Sequence, residues 1–167
     1  MGSSVILLNR RLVLAGLVLG PQSAIARLQS RPQRILFVCP AGSVKSAIAR
    51  EVLKTRAREL GLVIEVRSRG VVPEDHVSPG LAARLQADGI DVAAQPLTAL
   101  SSDDLAWADK VIGFDSALQA PGMAQAEAWE IPSWNEAYDQ AKAALIPHIE
   151  VLINALVQAR QGIKKAR

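Results

Sequence analysis

Arg34-Ile35-Leu36-Phe37-Val38-Cys39-Pro40-Ala41-Gly42-Ser43-Val44-Lys45-Ser46-Ala47-Ile48-Ala49-Arg50 is the stretch on which the reading of the whole chain turns. An apolar run ends in Cys39, the single cysteine of the sequence, and is followed by a turn of small residues and an amphipathic segment. That order is a strand handing over to a loop and then to a helix. Backbone N–H groups of such a loop, together with the positive end of the helix behind it, favour a bound anion and also favour a thiolate at the cysteine. Lys45 and the hydroxyl of Ser46 close the loop. Without further context a lone cysteine at a strand end reads as a small buried hydrophobe, and Ser46 as a helix cap.

Working outward, strand-like and helix-like segments alternate. Strand candidates are Ile35–Cys39, Val63–Ser68, Asp91–Ala93 and Lys110–Phe114. Helix candidates are Ser46–Leu60, Pro79–Asp88, Ser102–Trp107 and Glu136–Ala159. Such alternation predicts an α/β fold, a parallel sheet with helices on both faces, whose binding crevice lies at the carboxyl ends of the strands. Cys39 and the following loop fall at that crevice. In the last helix Leu145, Ile149, Leu152, Ile153 and Leu156 recur at helical spacing and belong to the core. Pro147 lies within that pattern and is expected to break or kink the helix near Ile146.

The residues resemble those of the low-molecular-weight protein tyrosine phosphatases and their arsenate reductase relatives. In that family a strand ending Leu-Phe-Val leads into Cys-x5-Arg-Ser. This chain has Leu36-Phe37-Val38-Cys39 and then Ser46-x-Ile48-Ala49, with Lys45 in place of the arginine and Gly42 where the family usually has asparagine. Ser68-Arg69-Gly70 is similar to the family's Ser-Ala-Gly, and Leu85-x3-Gly89-Ile90-Asp91 to its Leu-x3-Gly-Ile-Asp. Asp104-Leu105-x-Trp107-Ala108-Asp109-x-Val111-Ile112-x-Phe114-Asp115 resembles the approach to a later strand. Trp129-Glu130-Ile131-Pro132 resembles the lead into the family's Asp-Pro general acid. The match spans about Arg34 to Leu156. It implies a three-layer fold with a four-stranded parallel sheet flanked by helices.

The resemblance also implies roles. Cys39 is the expected nucleophile, Lys45 the anion-binding cation and Ser46 the hydroxyl that stabilises the thiolate. Pro40, Ala41, Gly42, Ser43 and Val44 form the oxyanion-binding loop. Ser68, Ser133 and Trp134 are candidate pocket residues, whereas Asp115 is assigned a structural place. Ser133 stands where the general-acid aspartate belongs, and a serine hydroxyl is too weak an acid for that task; general acid catalysis is commonly worth ~10²–10⁴-fold. Lysine keeps a positive charge but lacks the planar fork that grips two phosphoryl oxygens. Glu130 and Glu136 are the nearby carboxylates that could supply a proton instead. The expected function is therefore weak hydrolysis of a phosphate monoester, such as a phosphotyrosine-like substrate. The alternatives are a non-catalytic oxyanion- or phosphoprotein-binding pseudophosphatase, or an arsenate reductase that draws on an external thiol because a second cysteine is lacking.

Composition bounds the remainder. The chain has 167 residues, half of them hydrophobic, enough for one domain with a sizeable core. Arg10-Arg11, the apolar run 12–20 and Ala24-Ile25-Ala26 are read as an export signal, of Sec or twin-arginine type, with cleavage after Ala26 and a periplasmic destination; cytoplasmic residence is the alternative. The expected layout is a signal over 1–26, a linker over 27–33, a phosphatase-like domain over 34–160 and a basic tail over 161–167. Setting aside the two arginines of the signal leaves 17 basic against 16 acidic residues, so nucleic-acid binding has little support. His76 and His148 lack ligand spacing, and neither metal, cofactor nor a membrane span in the mature chain is expected.

Overall fold

The computed structural model describes residues 31–74 and 77–165. The expected export signal, His76 and the last two residues of the tail lie outside them. Pro32–Arg167 forms one compact unit. Its elements in chain order are β1 (Gln33–Cys39), α1 (Lys45–Glu59), β2 (Ile64–Gly70), α2 (Pro79–Ala87), α3 (Ser102–Trp107), β3 (Lys110–Gly113), β4 (Glu127–Ala128) and α4 (Tyr138–Lys165), with short 3₁₀ turns at Val92–Ala94 and Asp115–Gln119. The four strands form one sheet in the order β2-β1-β3-β4, and every pairing is parallel. This is the α/β architecture expected from the alternation of segments.

β1 runs through the centre of the sheet, and its apolar run serves both faces, as strands buried on two sides require. Ile35, Phe37 and Cys39 point into the larger core, which Ile48 and Leu53 of α1, Leu81 and Leu85 of α2 and Leu145, Ile149 and Ile153 of α4 complete. Leu36 and Val38 point the other way, onto Ala117 and Met123, with Leu105 and Trp107 of α3 packed alongside. The two-residue period of the strand therefore sends Cys39 to the face covered by α1. Phe37, Phe114 and Trp129 form an aromatic cluster with centroid separations of 5.5–6.2 Å, and the ring of His148 stacks on Trp129 at 4.8 Å. Each such ring pair contributes roughly 0.5–1.5 kcal/mol beyond its buried area.

Three local expectations are corrected. Asp91–Ala93 is no strand: Val92–Ala94 forms a 3₁₀ turn capped by Asp91, whose carboxylate accepts the Ala93 N–H. The fourth strand is Glu127–Ala128, two exposed residues too few to show any period. Pro147 does not end α4, which continues to Lys165. The proline is exposed, so water can serve the carbonyl its ring leaves without a donor, while Leu145 and Ile149 on the opposite face hold the helix to the core.

Candidate active site

The loop between β1 and α1 is built from backbone. The carbonyls of Cys39, Pro40 and Ala41 accept hydrogen bonds from the N–H groups of Val71, Val72 and Glu74 in the segment that follows β2. A trans peptide carries its N–H opposite its C=O, so tying Pro40 and Ala41 carbonyls outward turns the Ala41 and Gly42 amides inward. The Gly42 N–H accordingly donates to Cys39 Sγ at 3.1 Å. Gly42 lies in left-handed backbone, φ 76°. Glycine and asparagine are the residues that tolerate this conformation, which accounts for a glycine at a position where the resemblance expects asparagine. The loop also presses on the end of β2. A Cβ on Gly42 would stand 2.8 Å from the Gly70 nitrogen, and one on Gly70 would stand 2.8 Å from the Ala41 carbonyl.

Ser46 lies in the first turn of α1, fully buried, with its Oγ 3.1 Å from Cys39 Sγ. It does not cap the helix: Val44 occupies the cap position and no side chain closes it. The carbonyls of Gly42 and Arg69 are also within reach of the hydroxyl, at 3.2 and 3.4 Å. One proton thus has three acceptors around it. With a thiol at Cys39 the hydroxyl can turn to a carbonyl and accept the S–H; with a thiolate it can turn to the sulfur. Ser43 is buried beside it.

Lys45 reaches across the site. Its Nζ donates to Asp115 Oδ1 at 2.7 Å and to the Ile131 carbonyl at 2.6 Å. Two of the three ammonium hydrogens are thereby committed, which leaves one for an anion. Its charge faces that of Asp115, so attraction for an anion comes chiefly from the loop amides and the α1 N-terminus. Cys39, Pro40, Ala41, Val44, Lys45, Asp115, Ser133, Trp134 and Asn135 line a cleft of about 290 Å³.

The expected residues therefore assemble with one exception. Cys39 and Lys45, loop members Pro40, Ala41 and Val44, and Ser133 and Trp134 share the cleft, with Gly42, Ser43 and Ser46 directly behind them. Ser68 does not join them: its buried hydroxyl accepts a bond from Arg50 NH1 at 2.5 Å. Arg50, itself almost fully buried, also holds Glu51 and the Val92 carbonyl and ties α1 to β2. Glu130 and Glu136 are exposed and do not line the cleft. Trp134 is both wall and core, buried and packed edge-on against Tyr138 at 5.2 Å. Asp115 and Asn135 are cleft residues that the sequence reading did not assign there. Asp115 stands at φ 52°, just past the end of β3, and a charged residue directly after a strand's carboxyl end is the signal that points to it.

Beneath the loop, Asp104 is buried and accepts bonds from Arg69 Nε at 2.8 Å and Arg67 NH1 at 3.1 Å while closing a capping box with Ser101. Burial opposes its ionisation, but the bonds from Arg69, Ser101 and Arg67 prevail and lower its carboxyl to about 2. This carboxylate anchors β2 next to Gly70, against which the loop rests.

The model of the low molecular weight phosphotyrosine protein phosphatases matches residues 34–145. The chain belongs to that family. Solved structures of the same fold include a low molecular weight protein tyrosine phosphatase from T. tengcongensis, with TM-score 0.60 and 21% identity over 74% of this chain and 99% of the other. A thioredoxin-dependent arsenate reductase from Corynebacterium glutamicum has TM-score 0.60 and 23% identity over 81% and 68% of the two chains. An arginine phosphatase from Geobacillus stearothermophilus has TM-score 0.57 and 23% identity over 81% and 97%. No curated protein sequence matches the chain. Cys39 and the loop that follows it lie within the matched span, at the end of the first strand, with Lys45 and Ser133 beside them in the cleft. Among the described residues no group of three or more His, Cys, Asp or Glu could hold a metal ion, and no helix is long and apolar enough to cross a membrane.

Proposed function

We propose that the chain hydrolyses phosphate monoesters through Cys39, with activity held low by the substitutions at Lys45 and Ser133. The observation that carries this reading is Cys39 Sγ at the base of an amide-lined loop, 3.1 Å from both the Gly42 N–H and the Ser46 hydroxyl, opening on a cleft that also holds a lysine. The Gly42 N–H donates to the sulfur, the Ser46 hydroxyl lies within hydrogen-bond distance of it, and α1 begins beside it. A phosphoryl group in the loop would meet the thiolate with its oxygens on backbone amides and one on the remaining hydrogen of Lys45. The sulfur attacks phosphorus, the ester oxygen leaves, and a phosphocysteine forms.

The limits on rate follow from the same geometry. A single ammonium hydrogen replaces a fork of guanidinium donors, so less charge is stabilised as the phosphoryl group transfers. Ser133 faces the cleft but cannot protonate a phenolate, so leaving groups that depart as anions are preferred. Purified chain should hydrolyse an activated aryl phosphate in a Cys39-dependent way, and Lys45→Ala should weaken phosphate or vanadate binding measured by calorimetry. Oxyanion binding without Cys39-dependent turnover would establish the pseudophosphatase reading instead.

A second reading is favoured by the cysteine count. With Cys39 alone, arsenate reduction requires an external thiol to release the arsenical and restore the sulfur. Thiol-dependent arsenate reduction that fails in Cys39→Ser tests it. For location we propose export: the segment ending Ala24-Ile25-Ala26 implies a mature N-terminus at Arg27, which N-terminal sequencing of the protein from its producing cell would read directly.

A further inference from the structure

We propose that Asp115 is the general base of the second half of the reaction, taking a proton from the water that cleaves the phosphocysteine at Cys39. This rests on the hydrolase reading above. β1 and β3 are neighbours in the sheet, and the Phe114 N–H donates to the Val38 carbonyl, so the residues that follow, Cys39 and Asp115, leave the sheet side by side. Both line the same cleft.

The remaining polar side chains of that cleft cannot do the work. The Ser133 hydroxyl and the Asn135 amide are too weakly basic to accept a proton from water, and Lys45 is a donor. Among the described residues that line the cleft Asp115 is the only carboxylate, and Lys45 fixes it at 2.7 Å. Lys45 holds one carboxylate oxygen of Asp115 and leaves the other able to accept a hydrogen bond from a water in the cleft. The carboxylate therefore suits the hydrolysis of the intermediate and not the protonation of the leaving group, which agrees with a site that lacks an acid at position 133.

In the proposed step one water attacks phosphorus opposite the sulfur. The new P–O bond forms as the P–S bond breaks, and the electron pair returns to sulfur as a thiolate facing the Gly42 N–H and the Ser46 hydroxyl. Asp115 takes one proton of the water, and inorganic phosphate leaves with the other. Lys45 would then steady both the phosphoryl oxygen and the base.

Rapid mixing of the full-length protein with excess p-nitrophenyl phosphate separates the two halves. Asn tolerates the left-handed backbone of position 115, so Asp115→Asn keeps the conformation. The variant should retain the Cys39-dependent burst of nitrophenolate while its steady state slows by about tenfold or more. Phosphocysteine at Cys39 should then accumulate in the intact-mass spectrum, and added formate should restore turnover in the variant without changing the wild type. Asp115→Glu, which keeps a carboxylate, should show the same burst with a smaller loss and serves if the Asn variant is insoluble. An unchanged steady state in Asp115→Asn, or burst and steady state slowed together with no phosphocysteine and no formate rescue, overturns the base and leaves the hydrolase reading intact. Absence of any Cys39-dependent nitrophenolate release by the wild type overturns both.

Discussion

The two walls of the cleft are made differently. The 39–46 loop is held by main-chain bonds: three carbonyls tied to the segment after β2, one amide on the sulfur and a glycine-to-glycine contact. The facing wall consists of side chains brought from distant elements, Asp115 after β3 and Ser133, Trp134 and Asn135 before α4, joined to the loop through Lys45. A backbone-built wall tolerates substitution at most of its positions, because amides are present whatever the side chain. A side-chain wall changes its chemistry with each residue. On the proposed function, the two positions at which the resemblance implies a departure, Lys45 and Ser133, both present side chains to the cleft rather than backbone.

The sharpest test of that difference is Cys39→Ser, which removes the nucleophile and leaves the amides. Turnover of an activated aryl phosphate should fall by on the order of 10³-fold or more, while calorimetric binding of phosphate persists. Gly42→Ala attacks the backbone wall itself. Its Cβ meets the Gly70 nitrogen at 2.8 Å from a left-handed position, which should cost about 3 kcal/mol in denaturant unfolding and weaken phosphate binding.

The facing wall should instead be open to repair. Lys45→Arg should raise activity on an activated aryl phosphate roughly tenfold, and Ser133→Asp should add a similar factor mainly for phosphotyrosine-like substrates, whose leaving group needs a proton. Steady-state rates on both substrate types measure this. A gain from Ser133→Asp equal on the two would remove the proton-transfer explanation.

A last test, read as stability and not as rate, concerns the support beside the loop. The Asp104 carboxyl is depressed in the folded chain, to about 2, so its contribution is fully present above its ordinary value near 3.8 and is lost as pH falls through about 2. Protonation releases Arg69 and Arg67, and the loss should be about 2 kcal/mol. Urea unfolding of wild type and Asp104→Asn between pH 5 and 2 should show the gap between them close as the pH drops.

Much of this was open to reading along the chain. An apolar run ending in cysteine and small residues specifies a strand and an anion loop locally, because backbone geometry and amide donors depend on neighbours in sequence. The spacing of Leu145, Ile149 and Ile153 likewise declares a buried helical face, and Ser102–Trp107 is bounded by its own cap. Four features were decided only in three dimensions. Glu127–Ala128 is a strand because β3 offers an edge, and Pro147 stays helical because packing on either side outweighs one lost bond. Ser68 turns to Arg50, since a buried guanidinium requires acceptors. Asp115 faces Lys45 across 70 residues of chain, and no period or local motif records a contact made by two adjacent strand ends. Sequence determined the loop, its inward amides and its place at the end of a strand. Tertiary structure decided which carboxylate stands beside it, because opposite charges pair where the sheet brings them together, whatever their distance along the chain.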